Sequence, residues 1–227
     1  MVALIKQCAC SKLKLYTNKL KIWGTIVKKN YKRYLAFILG LAALALGVAL
    51  AVQSSLGASA YDSINFAVAG KLNLSVSFAI SISSIVLIII SSIIRRKKPR
   101  ISTFITGLIM GLLIDFWVSI VQNINVDSLI MQLVVFIAAL VLMGIGIAAY
   151  VISKLPLSPL DDLLVALDGA TKISMGKIKI FIDVTCMAVA FMLGGPIGVG
   201  TILMALLLGP TINFFYNLMD RYNVVGN

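Results

Sequence analysis

Histidine and glutamate are both absent from the chain, and its eight acidic residues are all aspartates. Without imidazole, zinc and iron sites lose their commonest nitrogen ligand, and neither a Ser–His nor a Cys–His nucleophile pair can form. Three cysteines (Cys8, Cys10 and Cys186) offer neither a disulfide framework nor metal-ligand spacing. No glycine-rich phosphate loop is present. Tyr61-Asp62 matches one half of an intramembrane aspartyl protease dyad, but the Gly-x-Gly-Asp partner is missing. The sequence therefore predicts no catalytic residue, no metal, no cofactor and no enzyme.

What the chain has in quantity is apolar surface. Sixty per cent (60%) of its 227 residues are hydrophobic, and its mean hydropathy is +1.05. The apolar residues gather in runs of about 20, the length that crosses about 30 Å of hydrocarbon at about 1.5 Å per residue. That pattern predicts an integral membrane protein with the lipid bilayer as its first partner. The formal charge of +12 would point to nucleic acid on a soluble chain. Here its placement reads as a topology signal, and no nucleic-acid partner is expected.

Six spans are predicted, over residues 34–54, 75–94, 101–121, 129–153, 177–193 and 200–219. Nine Lys and Arg precede the first, five lie in Arg95–Arg100, four lie between Lys154 and Lys179, and Arg221 follows the last. The opposite side holds Lys71 alone. The positive-inside rule then puts both termini in the cytoplasm, with the chain in the cytoplasmic membrane. Residues 1–33 have Leu13, Tyr16, Leu20, Trp23 and Val27 at helical spacing among lysines. They read either as an amphipathic helix on anionic lipid, gaining about 1 kcal/mol per lysine, or as a solvated basic tail. Cys8 and Cys10 are weak candidates for acylation there.

Two stretches repeat. Gly47–Asp62 (GVALAVQSSLGASAYD) overlays Gly146–Asp161 (GIAAYVISKLPLSPLD) at an offset of 99 residues without a gap. At an offset of 98, Thr103, Gly107, Gly111 and Asp115 match Thr201, Ala205, Gly209 and Asn213. Three spans per copy is an odd number, so the second copy is inverted relative to the first. The expected fold is an all-α polytopic membrane protein whose six transmembrane helices form two inverted three-helix repeats. Repeat 1 covers 34–121 and repeat 2 covers 129–219, leaving 220–227 as a short cytoplasmic end. The short segments 59–70 and 158–169 are too brief to span, and are re-entrant or interfacial. Gly57, Pro156 and Pro159 mark the breaks. Gly107, Gly111, Gly209 and Pro210 mark packing stripes, which serve contacts within one chain or a homo-oligomer.

Each polar candidate has two readings. Ser59-x-x-Asp62 and Ser158-x-x-Asp161 have the form of a helix N-cap with an acid three residues on. Alternatively their carboxylates line a pathway for a cation or proton, one facing each side of the membrane. Asp162 reads as a solvated neighbour. Asp183 either pairs with Lys179 near an interface or joins the pathway. Asp115 costs about 2.5–3.5 kcal/mol to insert and must face protein or water. It either bonds a neighbouring helix, with Asn213 among the partners, or lines the pathway. Gln53, Ser54 and Ser55 sit at the first break and are candidates for a cavity.

The Gly47 stretch with Ser55-Leu56-Gly57 and Tyr61-Asp62, Thr103 to Asp115, Ser158-Pro159-Leu160-Asp161-Asp162, Gly194 to Thr201 and Gly209-Pro210 together resemble the YczE/YyaS/YitT group of bacterial membrane proteins. The YczE branch is the most similar on these residues. The resemblance covers residues 35–217 and departs at the basic tail and at Ala60, where proline is usual. The paired breaks point to a small secondary transporter or permease. An acidic, base-free interior favours a cation, a proton-coupled solute or a neutral small molecule over an anion. The alternative is an accessory membrane protein that supports other membrane or biosynthetic proteins.

Overall fold

The computed structural model describes residues 31–171, 175–222 and 224. The expected amphipathic tail and its two cysteines lie outside the described residues. Eight helices and no strand occur among those described: α1 (Tyr31–Gln53), α2 (Ala60–Leu72), α3 (Val76–Arg95), α4 (Ile101–Val121), α5 (Leu129–Ile152), α6 (Pro159–Ala170), α7 (Met175–Met192) and α8 (Val199–Arg221). Five of them, α1, α3, α4, α5 and α8, are long and apolar enough to cross a membrane. The predicted span at 177–193 is the helix α7, but Lys177, Lys179 and Asp183 within its 18 residues keep it out of that group. Large apolar side chains stay exposed along the long helices, among them Ile89 and Ile93 on α3, Val134 and Ile137 on α5, and Leu206 on α8. Such a belt suits hydrocarbon rather than water.

The centre of the fold is the crossing of α1 and α5, where glycine lets two backbones approach. A Cβ added to Gly40 would lie 2.7 Å from the Tyr150 nitrogen and 2.8 Å from the Gly146 carbonyl oxygen. Seven residues on, a Cβ on Gly47 would meet the Ala139 carbonyl oxygen at 2.9 Å. Shifting each partner by 99 turns the pair Gly40–Gly146 into Ala139–Gly47, which is the second contact. Other helix contacts exchange in the same way: α3 packs on α6, and α2 packs on α7. α5 also packs on α8, and α3 on α4.

Both breaks are built alike. Ser54 Oγ donates to the Ala51 carbonyl at 2.6 Å and accepts from Leu56 N at 3.3 Å. Ser153 Oγ donates to Tyr150 at 2.5 Å and accepts from Leu155 N at 3.3 Å. The next residue is left-handed in each case, Ser55 with φ 58° and Lys154 with φ 56°, which ends a helix by turning the chain aside. Ser59 and Ser158 then start α2 and α6 as extended N-caps, with ψ 154° and 157°.

Each break is also held by the far half of the chain. The Leu56 carbonyl accepts from Gly200 N at 2.8 Å, and Ala58 N donates to the Pro196 carbonyl at 3.2 Å. Gly57 has φ +115°, and a Cβ there would lie 2.5 Å from Thr201 Oγ1, so only glycine fits. At the second break, Thr106 Oγ1 donates to the Pro156 carbonyl at 3.2 Å. The Pro159 ring lies against Gly107, 2.9 Å from where its Cβ would be.

Candidate functional site

The two short helices begin at one cavity of about 120 Å³. The start of α2 contributes Ser59, Tyr61 and Asp62, and the start of α6 contributes Ser158, Pro159, Leu160 and Asp161. Lys179 and Asp183 reach it from α7. The rest of the wall comes from the middle of the long helices: Leu44 and Val48 on α1, Gly107 and Ile114 on α4, Met143 on α5, Leu208 on α8. The cavity is therefore level with the centres of the apolar spans, and mostly greasy apart from its charges.

Capping explains how the carboxylates arrive there. Ser59 Oγ accepts from Asp62 N at 3.3 Å and donates to Asp62 Oδ2 at 2.5 Å. Ser158 Oγ accepts from Asp161 N at 3.3 Å and donates to Asp161 Oδ2 at 2.8 Å. Each aspartate thus sits in the first turn of its helix, where the N-terminal end of the helix dipole favours negative charge. Both are half-buried, open to the cavity. The capping and cavity-lining readings hold together at both positions. The expectation that the two carboxylates face opposite sides is not met: both helix starts line the same cavity.

Asp183 is buried, and its Oδ1 accepts from Lys179 Nζ at 2.5 Å. The expected pair exists, but it lines the cavity, so the site is not base-free as the composition of the spans suggested. A second, smaller recess of about 70 Å³ continues between Ser59, Lys179, Asp183 and Gly209. Gly209 packs against nothing, with no atom within 4 Å of a Cβ added there. Pro210 next to it is exposed inside α8.

The other candidates are placed elsewhere. Asp115 accepts from Val76 N at 2.9 Å and Ser77 N at 3.0 Å, capping α3 from the side. It does not line the cavity, and Asn213 is not its partner, being exposed on α8. Gln53 Nε2 reaches the Ile124 carbonyl at 2.7 Å and ties α1 to the loop after α4. Ser54 is fully buried on its own backbone, and Ser55 is exposed. None of these three lines the cavity. Gly111 fits against Ser77, where an added Cβ would lie 2.8 Å from the Ser77 Cα.

Asp162 is the clearest departure from expectation. It is 1% exposed and accepts from Arg95 Nη1 at 2.8 Å, Arg100 Nη1 at 3.1 Å and Ser91 Oγ at 3.1 Å. The neighbouring Asp161 opens to the cavity while Asp162 turns to the other side of α6, toward α3. A one-residue step around a helix is about 100°, enough to give adjacent acids different surroundings. The sequence signal was the RRKKPR linker, which read only as topology. A polar triad was also missed: Tyr61 OH and Ser83 Oγ lie 2.9 Å apart, and Ser83 Oγ donates to Asn65 Oδ1 at 2.7 Å.

Fold and site together define an α-helical membrane protein, with several helices apolar enough to cross a bilayer and a charged cavity at their middle. The chain belongs to a family of unknown function (DUF6198), whose profile matches residues 31–217. It is 32% identical to the uncharacterized protein YyaS of Bacillus subtilis (strain 168) over 191 residues, 84% of this chain and 95% of that one. It is 28% identical to the uncharacterized membrane protein YczE of the same organism over 183 residues, 80% and 84% of the two chains. An uncharacterized protein of Haemophilus influenzae is 22% identical over 192 residues, 85% and 87%. No solved structure matches the chain.

Proposed function

We propose that the protein is a small secondary transporter or permease of the bacterial cytoplasmic membrane, built from two inverted three-span repeats with both termini in the cytoplasm. One observation carries this reading: breaks 99 residues apart deliver Ser59–Asp62 and Ser158–Asp161 to a single cavity level with the span centres. Substrate sites in inverted-repeat transporters lie at the repeat interface and use broken helices whose ends point at the ligand. The exchange of contacts between halves, at Gly40–Gly146 and Gly47–Ala139, supports the repeat.

In this reading α7 is the sixth span. Its 18 residues cover about 27 Å, close to the hydrocarbon thickness. Lys179 and Asp183 neutralise each other one turn apart on its cavity side, while Phe181, Val184 and Phe191 are exposed. An intramembrane ionisable group marks an ion or substrate path when it faces a cavity rather than lipid. The cargo is a cation, a proton-coupled solute or a neutral small molecule, since unpaired carboxylates outnumber the single lysine.

Purified protein in proteoliposomes, under an imposed pH or Na⁺ gradient, tests the proposal with a panel of small solutes. Uptake that is lost in folded Asp62→Asn and Asp161→Asn variants supports it. Transport that survives both substitutions, or no movement of any solute or charge, counts against it and favours the accessory-protein alternative.

A further inference from the structure

We infer that the cavity takes a small protonated alkylamine, its ammonium held between Asp62 and Asp161. This rests on reading the cavity as the transport site, and it follows from charge, wall chemistry and size.

Lys179 and Asp183 cancel as an ion pair. Asp62 and Asp161 each have one side-chain donor, Ser59 and Ser158 respectively, although an ionised carboxylate offers about four acceptor positions. The two helix starts supply roughly +0.5 charge each. Two carboxylates against about one unit of dipole charge leave the cavity short of about one positive charge. A monovalent cation completes it.

The walls decide which cation. Ile80, Ile114, Met143 and Leu208 present hydrocarbon to the space. An inorganic ion would have to exchange its water for a full set of oxygen ligands. Among the described residues, no group of three His, Cys, Asp or Glu side chains is assembled to hold a metal ion. An alkyl body suits these walls. The volume of about 120 Å³ is somewhat below that of a cavity of roughly 150 Å³ that holds benzene, so the amine is small.

A primary ammonium brings three N–H donors for the two carboxylates, which a quaternary ammonium lacks.

The test is ligand-dependent thermal stability of the full-length protein in detergent. Propylammonium, tetramethylammonium, propanol, propionate and sodium are compared as separate probes at matched ionic strength. Propylammonium is expected to stabilise the wild type, with the other four weaker. Asp62→Asn and Asp161→Asn should each weaken it about tenfold or more, the scale of a hydrogen bond to a charged group. If those variants fail to fold, the ranking of the five probes on the wild type decides, with propylammonium expected to stabilise it more than the other four. Equal binding of propanol or propionate, or propylammonium binding that ignores both substitutions, overturns the inference. Exchange of labelled propylammonium across proteoliposomes separates the two claims. Binding without exchange upholds the ligand and overturns transport, whereas transport of another solute without propylammonium binding overturns the ligand alone.

Discussion

Replacing Asp162 with alanine should destabilise the protein by about 3 kcal/mol, because it strands a buried arginine. The Asp162 side chain is 2% exposed, that of Arg95 13%, and that of Arg100 56%. Removing one member of a buried pair costs about 3–5 kcal/mol, mostly from the charge left without a partner. Arg95 keeps two compensations: its Nη2 still donates to the Asp162 backbone carbonyl, and it lies at the C-terminal end of α3, where a cation is favoured. These place the loss at the lower end. Arg100 is mostly hydrated, so Arg100→Ala should cost at most about 1 kcal/mol. Arg95→Ala also leaves a buried charge and should resemble Asp162→Ala. The double variant should then fall short of the sum by about 2 kcal/mol, as expected for residues in direct contact. Denaturant unfolding in mixed micelles, followed by circular dichroism, measures all four. The reasoning fails if Asp162→Ala costs less than about 1 kcal/mol, or if Arg100→Ala costs as much as Arg95→Ala.

Gly40→Ala should cost about 1–3 kcal/mol through overpacking, since its Cβ would press on backbone atoms of α5 that cannot yield. Gly70→Ala in α2, with open space around it, should instead gain up to about 1 kcal/mol of helix propensity. The same unfolding assay distinguishes them. Ser59→Ala and Ser158→Ala should each lose about 1 kcal/mol of capping, and the glycine variants only a few tenths; melting temperatures that rank glycine below alanine contradict the cap. Asp115→Ala leaves two N–H groups at the start of α3 unpaired, a loss of about 1–3 kcal/mol. Asp115→Asn, keeping one acceptor, should lose about half of that, and faster amide exchange at Val76 and Ser77 would accompany both.

The helices were legible because hydrocarbon imposes a length and the apolar runs meet it. The breaks were legible because Ser-x-x-Asp, Gly57 and Pro159 are local signals that act within a few residues. The convergence of those breaks was not, since it depends on Leu56 meeting Gly200 and Thr106 meeting Pro156, contacts between distant segments. Composition misled about Lys179 because charge counts do not say which face of α7 a lysine occupies. Asp161 and Asp162 show the same limit: adjacent carboxylates of equal sequence character take opposite environments once α6 packs on α3. Asn213 matches Asp115 in the repeat but faces outward, because α8 does not repeat the side-on capping that α4 gives α3.

Asp62 and Asp161 line a single cavity. The direct measurement uses Asp62→Cys and Asp161→Cys together, in a chain whose Cys8, Cys10 and Cys186 are serine, treated with a short bifunctional thiol reagent. Intact mass then counts the linkers on each chain. One linker consuming both thiols is the predicted product, formed equally when the protein is diluted. Two separate adducts, one on each cysteine, would contradict the account.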